Sequence, residues 1–443
     1  MARCGSGGWG CELRPPFRHP GPRAGVLLLH HARLSGTPDQ VRGDDGRSIC
    51  MTKPIPDYPL DIFTPEAVRD ARAVDDGLRE FAPVVRLHDG TCMIARHEHV
   101  TSGLLDWKSF SSASRPWHDP NSPRPEILLT DDPPRHTQVR KVVQDALSPR
   151  ALERTKAIFQ ASAEQFVGKL REREGEAVDA VGEITQAWIF DILPEVLGLP
   201  KEGRHHMHGF SQMVWATMGP PGELFDEAMD HDFSAVVEWL GTACDRNALD
   251  PEGIGASIFA AADAGQVTED EAKLLLQTVL SAGADTTYLT MANAIRAWAM
   301  FPEEYAKLRA NPKLLRGAFD ESLRWDSPSR MAGRIATVDV AIDDYVVPAG
   351  TRCGLMFAAA NRDPRFWDAP DDYRIERDTK HSLGWGYGVH GCVGRMLAQT
   401  EAQAFLGTLV REVEAFEIAG DYEPWMTTVG HGPIKQPVRL TFT

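Results

Sequence analysis

The sequence predicts a mostly α-helical domain that carries small β-sheets. Residues 131–330 show mainly helical periodicity, with few interruptions by proline or glycine clusters. Short runs with strand character flank this stretch on both sides: residues 84–87, 91–95, 334–342, 351–357 and 439–443. From about Asp57 onward, no linker or internal repeat separates the two kinds of element. We therefore expect one domain with an α-rich lobe and a β-rich lobe.

Composition narrows the class of protein. The chain has 443 residues, of which 42% are hydrophobic, so it can bury a large core. A formal net charge of -16 argues against a nucleic-acid partner, and no apolar run is long enough to predict a membrane span. The seven cysteines are scattered without a Cys-x-x-Cys pair, which disfavours a disulfide framework or a zinc ribbon. We expect a reducing, cytoplasmic location.

The first 50 residues differ from the rest of the chain. They are rich in glycine, proline and arginine, and their one apolar run, residues 25–29, is too short for a secretory or membrane segment. Met51 opens a polar stretch that is typical of a natural start. We expect residues 1–50 to be a disordered extension or the product of a start codon assigned too early, and residues 51–443 to form the single domain.

The first element with chemical character follows a pair of prolines at residues 133 and 134. Proline is favoured at a helix start, and in the helix that follows His136 and Arg140 are four residues apart, so they share a face. A cationic pair that faces inward requires an anion, whereas the same pair facing outward would be an ordinary surface feature.

The longest predicted helix begins at a capping box, Thr268-x-x-Glu271, and meets no proline until Pro302. At 1.5 Å per residue it would measure roughly 45–50 Å and cross the whole domain. Its middle, Ser-Ala-Gly-Ala-Asp-Thr-Thr at residues 281–287, is unusual for a helix interior. Gly283 would allow close approach to the backbone, and threonine hydroxyls can open the helical ladder. A plain kink is the alternative.

Glu321 and Arg324 follow this helix at a spacing of three residues, which places both on one helical face. Such a pair is usually an ordinary surface salt bridge. Whether it has a special role depends on the motifs that accompany it in the sequence.

The most informative segment is a loop at residues 383–394, which holds five glycines and Cys392 immediately before a helix-like run. Free amides and the dipole at a helix start favour thiolate over thiol. A thiolate on a smooth glycine surface can receive a flat, bulky metal cofactor. The alternatives are a buried small apolar cysteine, a phosphate-binding loop or a simple turn.

This loop resembles the heme-ligand loop of the cytochrome P-450 superfamily, Phe-x-x-Gly-x-(His/Arg)-x-Cys-x-Gly, which binds heme through a thiolate. The matching residues are Trp385, Gly388, His390, Cys392 and Gly394. The resemblance implies the cytochrome P-450 fold, with both lobes around a buried heme b, and Cys392 as ligand to the iron. Trp385 departs from the usual Phe, and its indole N–H could donate toward the sulfur and shift the redox potential.

The same resemblance assigns roles to the earlier motifs. Residues 281–287 are similar to the acid-alcohol pattern of the oxygen-binding helix, so Thr286 would support oxygen activation and Asp285 would relay protons from solvent. Glu321 and Arg324, with the later Arg377, would form a structural brace near the thiolate loop. The residues that would bind the heme propionates are His136, Arg140, Arg334 and His390.

The family's pocket walls also map onto this chain. The corresponding residues are Arg115, Trp117, Trp215, Met218, Ala282, Met331, Ala332 and Val429. Small alanines and flat tryptophan walls suit an aromatic ligand. Residues 280–287 are similar to those of bacterial demethylases of para-methoxybenzoate and related aromatic acids, and Arg115 could bind a carboxylate. Arg115 could equally be solvated or contact a propionate, which leaves a neutral aromatic substrate open.

The function implied is a heme-thiolate monooxygenase that hydroxylates or O-demethylates a small aromatic compound. Its electrons would come from a ferredoxin and ferredoxin reductase, because no flavin or iron–sulfur domain is recognisable in the sequence. Arg135, Lys141 and Arg395 would lie on the thiolate side, where an acidic ferredoxin could dock. One alternative is a peroxide-driven or non-oxygenating heme enzyme, which the pairing of Asp285 with Thr286 disfavours. Another is a heme-based sensor or ligand-binding protein without turnover.

Overall fold

The computed structural model describes residues 40–42, 48–50, 53–113, 117 and 127–443. The chain forms two units, Met1–Cys50 and Met51–Thr443. In the first unit, β1 (Gln40–Arg42) pairs antiparallel with β2 (Ser48–Cys50). The expectation of a disordered extension or a misassigned start falls mainly on residues outside this description and stays a prediction.

Helices make up most of the second unit. They are α1 (Pro65–Arg69), α2 (Ala71–Phe81), α3 (His97–Leu105), α4 (Arg135–Ala146), α5 (Pro149–Arg171), α6 (Ala187–Leu197), α7 (Met207–Met218), α8 (Glu223–Met229), α9 (Ser234–Ala243), α10 (Ile254–Asp263), α11 (Glu269–Met300), α12 (Pro302–Ala310), α13 (Leu315–Trp325), α14 (Phe357–Ala360) and α15 (Arg395–Glu412). A π-helical segment, Ala180–Gln186, leads directly into α6. Within the described ranges, no helix combines the length and apolar character needed to cross a membrane.

Most strands lie on either side of the long helical stretch, as predicted, whereas the short strand Val178–Asp179 lies inside it. They are β3 (Val84–Arg86), β4 (Cys92–Ile94), β5 (Phe110–Ser111), β6 (Val178–Asp179), β7 (Met331–Ala336), β8 (Val340–Ile342), β9 (Tyr345–Val347), β10 (Arg352–Met356), β11 (Val413–Ile418), β12 (Glu423–Pro424), β13 (Pro433–Lys435) and β14 (Pro437–Phe442). One sheet has the order β3-β4-β10-β7-β5 and another the order β11-β14-β6, while β8 pairs with β9 and β12 with β13.

The five-stranded sheet is the largest sheet among the described residues and forms the main part of the β-rich lobe. The predicted hairpin is present: β3 and β4 are antiparallel, and Gly90 between them has a φ of 84°. Successive residues of β4 point to opposite faces of the sheet, so Cys92 and Ile94 pack in one hydrophobic cluster and Met93 in another. Both faces of this sheet are therefore covered.

The central helix of the α-rich lobe is α11, which spans 32 residues, or about 48 Å. It begins at the predicted capping box: the Glu271 amide donates to Thr268 Oγ1 at 3.2 Å, and the Thr268 amide donates to Glu271 Oε2 at 2.8 Å. It packs against α6, α10, α13 and α15. Most residues in the middle of α11 are buried, so this helix lies at the centre of the lobe and can form one side of a site there.

Candidate active site

A cavity of about 380 Å³ joins the elements that the sequence motifs identify. Cys392 lines it from the loop before α15, and Ala282, Gly283 and Thr286 line it from α11. Residues of α4, α7 and β7 also line it. Motifs that lie far apart in the sequence, from α4 to the cysteine loop, therefore meet at one cavity.

The conformation of the Cys392 loop depends on its glycines. The Cys392 amide donates to the Trp385 carbonyl at 2.7 Å, so the loop folds back on itself. Gly386 and Gly388 both have a φ of 64°, in the region that favours glycine. A Cβ on Gly388 would lie 2.4 Å from the Leu104 carbonyl oxygen, so Gly388 allows the loop to pack on α3. Gly388 does not line the cavity, and its part in binding a cofactor would be indirect.

The Cys392 thiol is open to the cavity. Burial raises the pKa of Cys392, and the amides of Gly394 and Arg395 together with the charges of Arg140 and Arg395 oppose that rise. The helix-start amides thus act in the predicted direction, but burial outweighs them. A Cβ on Gly394 would lie 3.9 Å from Cys392 Sγ, which is an ordinary contact, so the sulfur itself does not require glycine there.

Trp385 also lines the cavity, but its indole N–H is already engaged. Nε1 donates to Asp320 Oδ1 at 2.8 Å. The hypothesis that this N–H donates toward the sulfur is therefore wrong for this structure, because a carboxylate on α13 accepts it instead. Nothing in the loop motif points to Asp320, which lies 65 residues upstream of Trp385.

Four cationic or imidazole side chains line the same cavity: His136, Arg140, Arg334 and His390. The rings of His136 and His390 lie 4.4 Å apart. Arg140 Nη2 donates to the Gly391 carbonyl at 2.6 Å, and Arg334 Nη1 donates to the Gly333 carbonyl at 2.6 Å. His136 and Arg140 thus both line the cavity from α4, and the positive charge of the set comes from its two arginines.

The electrostatics of this set favour an anion in the cavity. Burial lowers the pKa of Arg334 to about 10, and burial together with the charges of Arg334, His136 and Arg140 lowers the pKa of His390 to about 3. Among the described residues, neither ring nitrogen of His136 has a hydrogen-bond partner, although the side chain is buried. Buried donors without partners are costly, so the site suits a ligand that carries carboxylates.

The threonines of α11 bond along the helix as expected. Thr286 Oγ1 donates to the Ala282 carbonyl at 2.8 Å, and Thr290 Oγ1 donates to the Thr286 carbonyl at 2.6 Å. The helix nevertheless continues from Glu269 to Met300, so these threonines do not end it. A Cβ on Gly283 would come 3.4 Å from Leu193 of α6, an ordinary contact, so the packing of α6 does not require glycine there.

Asp285 lies behind this wall and not in the cavity. It is fully buried, and its oxygens accept hydrogen bonds from Ser211 Oγ at 2.7 Å and from Trp215 Nε1 at 2.8 Å. Burial raises the pKa of Asp285 to about 6, and these two hydrogen bonds oppose the rise. Since Trp215 lines the cavity, the acid is connected to the cavity through an indole and has no direct exposure to solvent.

Glu321, Arg324 and Arg377 come together in the core. Arg324 donates to both oxygens of Glu321, at 2.7 and 2.8 Å, and Arg377 Nε donates to Glu321 Oε1 at 3.0 Å. Glu321 and Arg324 are completely buried. The remaining donors of Arg324 reach the carbonyls of Asn361, Pro370 and Asp372.

Seven of the eight expected substrate-contact residues line the cavity: Trp117, Trp215, Met218, Ala282, Met331, Ala332 and Val429. The eighth, Arg115, lies outside the described residues. Trp117 and Trp215 supply flat apolar walls, and the small side chain of Ala282 leaves room in the cavity beside α11. Thr278 also lines the cavity and was missed, although it precedes Ala282 by four residues and so shares its helical face.

Glu401 on α15 is a further residue that the motifs did not indicate. It lines the cavity and is fully buried, and neither carboxylate oxygen has a hydrogen-bond partner in the part of the chain that the structure describes. Burial raises the pKa of Glu401 to about 8, and the neighbouring Thr287 hydroxyl opposes the rise. No sequence pattern marks a buried acid of this kind, because helices carry many solvated glutamates.

Comparisons with known proteins show which family the chain is similar to. A family model described as "Cytochrome P450" matches residues 223–429. A relative from Rhodopseudomonas palustris, "Cytochrome p450 CYP199A2", is 35% identical over 398 residues, which cover 87% of this chain and 95% of the relative. A second, "Cyclomarin C epoxidase CymV" from Salinispora arenicola, is 29% identical over 82% of this chain and 94% of its own length.

A solved structure gives the same result for the fold. "Cytochrome P450 CYP109Q5" from Chondromyces apiculatus superposes with a TM-score of 0.73 at 27% identity, covering 87% of this chain and 98% of that structure. The predicted mostly helical fold with small sheets is confirmed.

Proposed function

The chain belongs to the cytochrome P-450 family of heme-dependent monooxygenases, and from that premise we propose its substrate class, partners and site residues. We propose that it inserts one oxygen atom of O₂ into a C–H bond of a small aromatic compound, by hydroxylation or O-demethylation. The observation that supports this most is the cavity that Cys392 shares with Thr286, Trp117 and Trp215. It combines a thiol, a hydroxyl and flat apolar walls in one space.

The residues of the cavity fit heme b. Cys392 would hold the iron, because it is the one thiol among the lining residues that the structure describes. His136, Arg140, Arg334 and His390 would hold the two propionates, and the partnerless nitrogens of His136 would then gain acceptors. Heme supplies oxygen activation and C–H oxidation when it is bound.

Thr286 and Asp285 would handle protons. The Thr286 hydroxyl lies on the cavity wall, where it can hold a water or pass on a proton. Asp285 would replenish that proton, and with a pKa of about 6 it can give up a proton near neutral pH. To do so, its carboxyl must leave Trp215 or Ser211, since both now donate to it.

The substrate proposal depends on the cavity walls. Aromatic and methionine side chains around a small residue, Ala282, favour a flat ligand over a bulky one. Arg115 would pair with the carboxylate of an aromatic acid. With a methoxy substrate, hydroxylation of the methyl carbon would give a hemiacetal that breaks down to a phenol and formaldehyde. The other oxygen atom of O₂ would leave as water, using two protons and two electrons.

Those electrons would come from a ferredoxin and its reductase. Arg135, Lys141 and Arg395 were expected to offer a basic docking face, but each has an acidic neighbour: Glu271, Asp145 and Asp320, respectively. The support from these three residues is therefore small, and the proposal rests mainly on family membership. We further propose a cytoplasmic location, because Cys92 and Cys353 stand opposite each other on neighbouring strands and both are free thiols.

A spin-state titration of the purified heme protein tests the substrate proposal. Aromatic acids, phenols, terpenes and fatty acids would be compared by the absorption change that follows displacement of water from the heme. We expect aromatic acids to give the largest change at the lowest concentration. An Ala282→Leu variant, which fills the cavity, should weaken the response. A response confined to terpenes or fatty acids would contradict the proposal.

Product analysis completes the test. Para-methoxybenzoate, NADH and a ferredoxin system would be supplied, and formaldehyde and the phenol would be measured together with NADH consumption. Equal amounts of both products are expected. Turnover with peroxide alone, and none with the ferredoxin system, would favour the peroxide-driven alternative.

A further inference from the structure

Trp385 belongs to a polar cluster beside the cysteine loop, made of Asp320, Trp385, Arg395 and Gln399. Asp320 Oδ1 accepts from Trp385 Nε1 at 2.8 Å and from Gln399 Nε2 at 3.3 Å. Asp320 Oδ2 accepts from Arg395 Nη2 at 3.2 Å. The carboxylate is therefore shared by three donors from the loop and from the first turns of α15.

Asp320 is held firmly in this cluster. Its side chain is only 10% exposed, whereas that of Arg395 is 43% exposed. Asp320 directly precedes Glu321, which is fixed in the buried brace by Arg324 and Arg377. A carboxylate on such an anchored helix can hold a neighbouring side chain in one orientation.

The cluster reaches Cys392 through Trp385. The Trp385 carbonyl accepts from the Cys392 amide at 2.7 Å, and both residues line the cavity. The Arg395 guanidinium lies 5.2 Å from the centre of the Trp385 ring, so the indole is held at its N–H edge by Asp320 and at its face by Arg395. The indole is thereby kept in an orientation that gives its N–H to Asp320.

We propose that Asp320 is a positioning residue that holds the Trp385 indole N–H away from the Cys392 sulfur and thereby keeps the heme reduction potential low. This inference rests on the proposed role of Cys392 as the axial ligand. A hydrogen bond donated to a thiolate withdraws negative charge from it and favours the reduced iron. Without Asp320, the freed N–H becomes available to the sulfur, and the potential rises.

The test is a double-mutant cycle on the heme-loaded protein, with reduction potential as the measurement. Asp320→Ala removes both acceptor oxygens together with the charge, so the Trp385 indole N–H loses its partner. We expect this variant to shift the ferric–ferrous equilibrium toward the reduced form by about tenfold, or about 59 mV for a one-electron couple. In a Trp385→Phe background, which has no indole N–H, the same substitution should give a clearly smaller shift.

The cycle separates positioning from a simple charge effect. If Asp320 acts only through its charge, Asp320→Ala shifts the potential equally in the wild-type and Trp385→Phe backgrounds, and the proposal is overturned. No shift in either background overturns it as well.

Trp385→Phe alone keeps the proposal testable if Asp320→Ala does not fold. Phenylalanine is the residue usual for the family at this position, and its introduction should leave the potential nearly unchanged, because the indole N–H does not serve the sulfur. A fall in potential would show that the N–H does reach the sulfur and would contradict the proposal. Thiolate ligation is checked first in the unchanged protein by its reduced, carbon-monoxide-bound spectrum, so a failure of the Cys392 assignment is recognised separately.

Discussion

The two sides of the cavity differ in how they are built. The cofactor side is polar and tightly determined: His136, Arg140, Arg334 and His390 surround it, and the cysteine loop is fixed by glycines and by Asp320. The substrate side is largely apolar, with Trp215 and Met218 contributed by α7 and Trp117 by an earlier part of the chain. The cofactor side would be common to any heme-thiolate enzyme, whereas the substrate side would give this chain its own specificity.

This difference predicts two kinds of effect. Substitutions on the cofactor side should lower the stability of the protein or its yield of oxidised product, whereas those on the substrate side should lower only the affinity for substrate. Four substitutions test this difference.

The largest effect is expected from Arg324→Ala. It would leave the buried Glu321 carboxylate without its bidentate partner and should lower the free energy of unfolding by about 3–5 kcal/mol, with loss of bound heme. Chemical denaturation and heme content would measure both. Arg154→Ala is the control, because its ion pair with Glu252 is exposed and should matter little. A stable, heme-loaded Arg324→Ala protein would contradict the assigned brace.

Thr286→Ala should uncouple NADH consumption from product formation, so that NADH is used without a matching yield of product. The hydroxyl that would hold a proton at the cavity wall is removed, so product per NADH should fall by up to about 10²-fold. Heme binding should be unaffected, since Thr286 bonds only the Ala282 carbonyl through its side chain among the described residues. Thr286→Ser should restore most of the coupling. Full coupling in the alanine variant would exclude Thr286 from proton delivery.

Glu401→Gln should change how stability depends on pH. Burial raises the pKa of Glu401 to about 8, so between its unfolded value and pH 8 the folded state retains a proton that the unfolded state has lost. Glu401 therefore makes the folded state less stable as pH rises, by about 2–3 kcal/mol between pH 6 and 8.

In the glutamine variant this loss of stability should disappear. Denaturation at pH 6 and pH 8 would show it, with Glu414→Gln, an exposed acid, as the control. The same pH dependence in wild type and Glu401→Gln would mean that the carboxyl is charged or partnered in the loaded protein.

The smallest effect is expected on the substrate side. Arg115→Ala should weaken aromatic acids by about 1.5–3 kcal/mol if Arg115 makes a charged hydrogen bond to their carboxylate. Neutral methoxybenzenes should bind as before, and stability should not change. Spin-state titrations with matched acid and neutral ligands would measure this. Equal affinities for the acid in both proteins would remove Arg115 from the pocket.

The two sides also differ in how far the sequence predicts them. Short sequence motifs contain the residues that could be predicted. Two of them, Cys392 and Thr286, line the cavity, and the other two, Glu321 and Arg324, form the buried ion pair. Asp320 and Glu401 could not be predicted, because each depends on contacts between α13, α15 and the cysteine loop that no local spacing encodes. The engagement of Asp285 by Ser211 and Trp215 was likewise hidden, since α7 lies about 70 residues away.

Helix and strand positions were predicted well because their periodicity is local. The orientation of the Trp385 indole was not, because its acceptor, Asp320, is supplied by tertiary packing.

The central claim is that Cys392 binds the heme iron as a thiolate. The reduced, carbon-monoxide-bound absorption spectrum tests it most directly, and Cys392→Ser provides the comparison. We predict the long-wavelength band characteristic of a thiolate-ligated heme in the wild type, and its loss in the serine variant. A well-folded wild-type protein with the shorter-wavelength band of imidazole-ligated heme, or a serine variant that keeps the wild-type band, would contradict it.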